Sequence, residues 1–250
     1  MMDMAAARSS QIEKNRTADL LNLIPSLSGA ALDVGTRDGH FSKLLTQHFD
    51  HVVALDLEQP QFEHPKVQCV KGDVTNLEYE DEYFDFVFCA EVLEHIPPNL
   101  LTRACKELAR VAKHNLLIGV PYKQDLRVGK TTCRSCGETN PPWGHVNSFD
   151  ESILEELFSG LTVEKVSYVE RSNEISNEVS SCLMNLAGNP YGTYCQEESC
   201  VSCGGKLGSP QERQVWQKIA TKLAITIEVF QRQFTKPHPQ WIHLLLTKSS

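Results

Sequence analysis

The segment Ala31 to Phe41, ALDVGTRDGHF, constrains this chain more than any other stretch. Small and apolar residues run into Asp33 and Gly35, and a second glycine, Gly39, follows four positions later. This order predicts a buried strand, a tight turn and the start of a helix. At such a turn only glycine lets the backbone approach a ligand closely. The dinucleotide fingerprint G-x-G-x-x-G is not met, because Gly35-Thr36-Arg37-Asp38-Gly39 lacks the middle glycine.

The next hundred residues repeat the theme. HFSKLLTQHF places Phe41, Leu44, Leu45 and Phe49 on one helical face, and VVALD then ends in Asp56, about twenty residues past the turn. An acid at that strand end can accept both hydrogen bonds of a ribose diol. VQCVKGDVTNL brings Asp73 to the end of a third strand, where a carboxylate can accept from an exocyclic adenine amine. YFDFVFCAEVLEHI predicts a fourth strand breaking into a loop and helix. Strands are expected near 30–34, 52–56, 66–70, 83–89 and 115–120, with helices near 10–24, 40–49, 99–113 and 150–159. LTVEKVSYVE and WIHLLLTK read as sixth and seventh strands. Strands alternating with helices imply an α/β fold with a mostly parallel sheet and ligands at the carboxyl ends of its strands.

These elements, in this order, resemble the class I S-adenosylmethionine (SAM) methyltransferases, of the type 11 and type 12 kinds, over roughly residues 10 to 170 plus the last strand. The resemblance implies a Rossmann-like seven-stranded sheet with helices on both faces. It assigns Gly35 and Gly39 to making room for SAM, Asp33 to ordering its methionine end, and Asp56 with Leu57 to the ribose. Asp73 takes the adenine amine, Val74 offers its backbone N–H to the ring, and Glu91 lies where the backbone holds the methionine moiety. A domain division follows: a helical segment over 1–25, a SAM-binding core over 26–169, a cysteine-rich insert and helix over 170–238 as a lid, and a final strand and tail over 239–250.

Nine cysteines carry a second signal. Cys69, Cys89 and Cys105 sit in apolar patterns and read as small buried hydrophobes, and Cys182 adds nothing further. Cys133 and Cys136 form one C-x-x-C-G, and Cys200 and Cys203 another. Each has the shape of a zinc knuckle, and two of them supply the four thiolates of a closed structural Zn2+ site. Cys195 could replace a member of the second pair or stay free. The two pairs follow strands five and six, so parallel neighbouring strands would bring them to one sheet edge. A reducing compartment disfavours disulfides as the alternative.

Methyl transfer needs the acceptor positioned and, for a hydroxyl, its proton removed. His145, in PPWGHVNSF, is the first candidate for general base, and Glu91 and His95 are further catalytic candidates. Each histidine also has a purely structural reading. The expected function is SAM-dependent methyl transfer to a small molecule, with an O or N acceptor ahead of C. One alternative uses the same residues. Glu91, Glu94, His95 and His145 resemble the metal-holding set of the small-RNA 3′-terminal 2′-O-methyltransferases, although the Thr-Pro-Asn-type segment of those enzymes is replaced here by GVPYKQD, and the tryptophan and arginine after their late histidine are missing. A catalytically silent, zinc-braced interaction protein is a second alternative, and a nicotinamide oxidoreductase fits least.

Composition sets limits. Net charge −8 disfavours a broad nucleic-acid face. Apolar runs such as NLLIGV are far too short to span a membrane, and the first sixteen residues lack a secretory apolar core, so a cytoplasmic protein is expected. A helix over 210–232 carries Trp216, Ile219, Leu223 and Ile227 at helical spacing and is expected to pack on the sheet domain.

Overall fold

The computed structural model describes residues 8–194, 199–210 and 212–248. Chain contacts divide them into two compact units. The larger holds residues 15–122, 149–170 and 240 onward.

The larger unit is the α/β sheet. After α1 (Gln11–Leu23) come β1 (Ala30–Val34), α2 (His40–Leu45), β2 (His51–Asp56), β3 (Val67–Lys71), β4 (Phe84–Ala90), α3 (Pro98–Val111) and β5 (Ala112–Pro121). Next are α4 (Glu151–Leu157), β6 (Thr162–Ser172) and β7 (His238–Thr247). The strand order is β3-β2-β1-β4-β5-β7-β6. β1 to β5 pair in parallel, while β7 runs antiparallel to β5, with Gly119 opposite His243. This is the Rossmann-like, mostly parallel seven-stranded sheet read from the sequence. β2, β4 and β5 are near-continuous apolar runs because both their faces are covered. One core layer centres on Leu32, Val87, Leu116, Leu108 and Leu244, and the other on Ala31, Phe86, Leu117 and Leu245 with Leu20 of α1. Strands five and six are not neighbours: β7 lies between them.

The smaller unit holds residues up to 14, 123–148 and 171–239. It contains a two-stranded ribbon (Thr131–Thr132 with Thr139–Asn140), α5 (Glu178–Leu186) and α6 (Val215–Arg232). α5 has no counterpart in the sequence reading. Asn177 caps it, accepting from the Ser180 N–H at 2.9 Å. α5 and α6 run antiparallel, since Asn177 Nδ2 donates to Gln231 Oε1 near the far end of α6 at 2.8 Å. Small residues face the pairing: Ser180 and Ser181 on α5, and Ala220, Thr221 and Ala224 on α6, are the buried ones. Trp216, Ile219 and Leu223, expected to pack on the sheet, are instead more than half exposed.

Candidate functional site

The carboxyl ends of β1 to β4 gather the residues singled out for SAM. Gly35 (φ +75°) and Gly39 (φ +76°) both hold left-handed backbone, and Gly39 starts α2 from that conformation. A Cβ at Gly35 would lie 2.3 Å from Val92 Cγ2, and one at Gly39 would lie 2.2 Å from the Phe62 ring. Both positions thus require glycine for conformation and for space. Asp33 turns inward and accepts a hydrogen bond from the Ser42 hydroxyl. Burial pushes its carboxyl up to about 6, against the lowering effect of hydrogen bonds from Ser42 and Thr36. Asp33 therefore ties the turn to the first turn of α2.

Asp56 ends β2, and its Oδ2 accepts the Arg37 N–H at 2.9 Å, which holds the glycine turn against the second strand. Leu57 beside it is 64% exposed. At the end of β3, Asp73 Oδ1 accepts the Thr75 N–H at 2.8 Å, and Val74 between them is buried. Glu91 follows β4 with φ +58°, a conformation rare for a side chain with a Cβ, and its N–H donates to Gly119 O at 2.9 Å. Across the sheet these ends stand in the order Asp73, Asp56, Gly35, Glu91.

Two buried charged or titratable groups at this edge escaped the sequence reading. Arg16 of α1 is 7% exposed, pairs with Glu91 Oε1 at 3.5 Å and lies 6.0 Å and 5.6 Å from the Phe41 and Trp241 ring centres. Its signal was its spacing: residues 16, 20 and 23 share the buried face of α1. His243 of β7 is fully buried, and its Nδ1 stands 2.6 Å from Oδ2 of Asp19, whose Oδ1 accepts a hydrogen bond from the Ser167 hydroxyl at 2.7 Å. Burial and the nearby Arg16 charge hold His243 below its ordinary value, so it is the neutral ring that donates Nδ1–H to Asp19. For Asp19, burial acts upward, but the bonds from His243 and Ser167 prevail and keep it low. Gly119 gives the ring room, since a Cβ there would sit 3.1 Å from His243 Cδ2.

Glu94, named in the sequence reading with the RNA alternative, lies in the 3-10 turn Leu93–His95. It has no exposure, and neither carboxylate oxygen has a hydrogen-bond partner among the described residues. Burial, reinforced by the Glu91 charge, raises it well above the usual carboxylate range. A carboxylate oxygen of Glu94 and a ring nitrogen of His95 lie within 4.8 Å of each other.

In the smaller unit, His145 follows the turn Pro142–Gly144, and its Nδ1 lies 2.6 Å from Gln124 Oε1. An amide oxygen only accepts, so Nδ1 carries the proton. The same unit brings Cys133, Cys136, Cys200 and Cys203 together, with all four sulfurs within 4.8 Å of one another. Cys133 to Cys203 is 3.7 Å and Cys136 to Cys200 is 3.6 Å. Tetrahedral Zn–S bonds of about 2.3 Å require sulfurs about 3.8 Å apart, so the cluster fits the ion.

The two knuckles are copies of each other. Gly137 and Gly204 each hold left-handed backbone and donate to the first cysteine's carbonyl at 2.9 Å. Backbone N–H groups of Cys136 and Ser135 lower the Cys133 thiol, and those of Cys203 and Ser202 bring Cys200 down to about 6, whereas burial and the three neighbouring thiols push Cys136 up to about 12. Buried Asn140 joins the copies, accepting the Val201 N–H at 2.9 Å and facing Cys200 Sγ at 3.5 Å. Cys195 lies outside the described residues.

Residues 32–118 match the family model for the methyltransferase domain. Over that stretch the chain is similar to a methyltransferase domain. The match covers the glycine turn, both strand-end acids and the Glu91–His95 segment. No curated protein sequence matches the chain. Among solved structures, the domain's fold recurs in the N-methyltransferase NodS from Bradyrhizobium japonicum bound to S-adenosyl-L-homocysteine (15% identity, 100% of this chain and 94% of that one, TM-score 0.56). It recurs too in a putative methyltransferase from Bacillus halodurans (15%, 93% and 98%, 0.55) and in a SAM-dependent methyltransferase from Mesorhizobium loti (12%, 92% and 96%, 0.52). At these identities the likeness is one of fold.

Proposed function

We propose that the chain transfers a methyl group from SAM to the oxygen or nitrogen of a small molecule. The observation that carries this reading is the sheet edge itself: two glycines in left-handed turns and acids at the ends of β2 and β3, with Leu57 left exposed beside Asp56. An exposed leucine next to a diol-binding acid is what a ribose–adenine unit would cover. Gly35, Gly39, Asp56, Asp73 and Val74 would hold SAM, which when bound supplies an electrophilic methyl group. Attack on that methyl is a direct displacement, so the protein's work is positioning and proton removal. His145, held at Nδ1 by Gln124, is the candidate general base for that proton.

Binding of S-adenosylhomocysteine by calorimetry tests the cofactor assignment. Asp56→Ala should weaken it by roughly 1–3 kcal/mol, the scale of a lost charge-assisted bond. Unaltered affinity would remove Asp56 from the site, and no binding by the natural chain would remove the reading. His145→Gln should then lower turnover while leaving that affinity intact.

The four thiolates support a structural zinc ion. Free thiolates also suit a reducing, cytoplasmic setting. Net charge −8 weighs against a nucleic-acid substrate. One observation favours the RNA reading, in which Glu91, Glu94, His95 and His145 are the set for a divalent ion: the Glu94 carboxylate is buried and has no hydrogen-bond partner among the described residues. Radiolabelled methyl from SAM, followed into the small-molecule and RNA fractions of an extract, separates the two. Label in RNA that requires manganese and is lost in Glu94→Gln would establish the second reading.

A further inference from the structure

The exposed side of α6 is a feature the methyl-transfer reading does not use. Val215, Trp216, Ile219, Leu223, Val229 and Phe230 on the helix, and Phe234 just past it, are 49% to 75% exposed. Trp216, Ile219, Leu223 and Phe230 lie at the 3- and 4-residue steps of a helix–helix seam. By these exposures the stripe leaves roughly 800 Å² of apolar side chain in water, above the few hundred Å² usual for a monomer's largest patch and equal to one side of a standard interface.

We propose that this stripe pairs with the same stripe of a second copy of the chain, the two α6 helices antiparallel about a two-fold axis. Three observations select that occupant. The helix of 18 residues is about 27 Å long, enough for a self-complementary helix pair. Its exposed cations on this side, Lys218 and Lys222, lie in the N-terminal half, whereas the C-terminal half exposes Thr226 and Gln233. A parallel pair would set the lysines against their own copies, but an antiparallel pair sets them beside the partner's Thr226 and Gln233 side and the negative end of its helix dipole. The opposite face, with Ala220, Thr221 and Ala224, is already closed, which leaves the apolar stripe as the side of the helix open to a partner. Pairing centred near Leu223 and Thr226 would bring Trp216 onto the partner's Phe234 and Ile219 onto the partner's Phe230. Large rings at each end of the stripe then meet at opposite ends of the pair.

Light scattering on the full chain at micromolar concentration tests this. The expected mass is twice the 28.1 kDa of one chain, falling to a single chain in Leu223→Glu and in Phe230→Glu. Circular dichroism and S-adenosylhomocysteine affinity should stay those of the natural protein, and loss of either in one variant transfers the test to the other. A photoreactive benzoylphenylalanine at position 234 should cross-link to the region around Trp216 of a second chain. A monomeric natural protein would overturn the proposal, as would variants that remain dimeric, cross-links between equal positions, or binding of the stripe to anionic lipid vesicles in place of a second chain.

Discussion

Asp33 shows how one buried acid reports on its strand. Its carboxyl lies at about 6 in the fold against 3.8 in an open chain, so the folded state holds the proton more tightly. Its stabilising contribution is complete below about pH 4 and disappears as pH rises through about 6. That difference corresponds to about 3 kcal/mol. Asp33→Asn should therefore flatten this part of the stability–pH curve, read from urea midpoints between pH 4 and 7 against the natural protein; parallel curves would refute the assignment. Asp33, Gly35, Gly39, Asp56 and Asp73 were legible because glycine and acid at strand ends are local signals. Arg16 and His243 were not, because each is buried by partners distant in sequence: Arg16 by Glu91 and Trp241, and His243 by Asp19.

Elements were read less evenly. The five parallel strands were legible because their apolar runs are short and bounded by acids, glycines and prolines. α5 was hidden because Glu178–Leu186 is short and serine-rich, its helix set by the Asn177 cap and by packing on α6. In α6 the periodicity was visible, but the assumption that large apolar residues face inward chose the wrong side. Small residues allow two helices to approach closely, and here Ala220 and Ala224 take the inner face. Ala224→Leu should overpack that contact and cost about 1–3 kcal/mol, measured as a lower urea midpoint. An unchanged midpoint would mean that α5 and α6 do not rely on each other.

At the scale of the molecule, two units with separate cores imply separate responses. Removing metal with a chelator, or replacing Cys133 with serine, should lower the melting of the smaller unit and leave that of the sheet, seen by calorimetry as one shifted transition. A zinc content unaltered in Cys133→Ser would end the four-thiolate account. The position of β7 has a different consequence, for the time at which this protein can fold. The strand that joins β5 to β6 is the last in sequence, and the 65 residues between Ser172 and His238 must be made before it exists. At about 5–20 residues per second, the 116 residues between Pro121 and His238 keep the apolar edge of β5 open for roughly 6–23 s. During that interval Leu116, Leu117 and Ile118 form an unpaired strand edge able to capture other chains. The sheet is thus the part most exposed to misassembly during synthesis, and β7 both completes it and delivers His243.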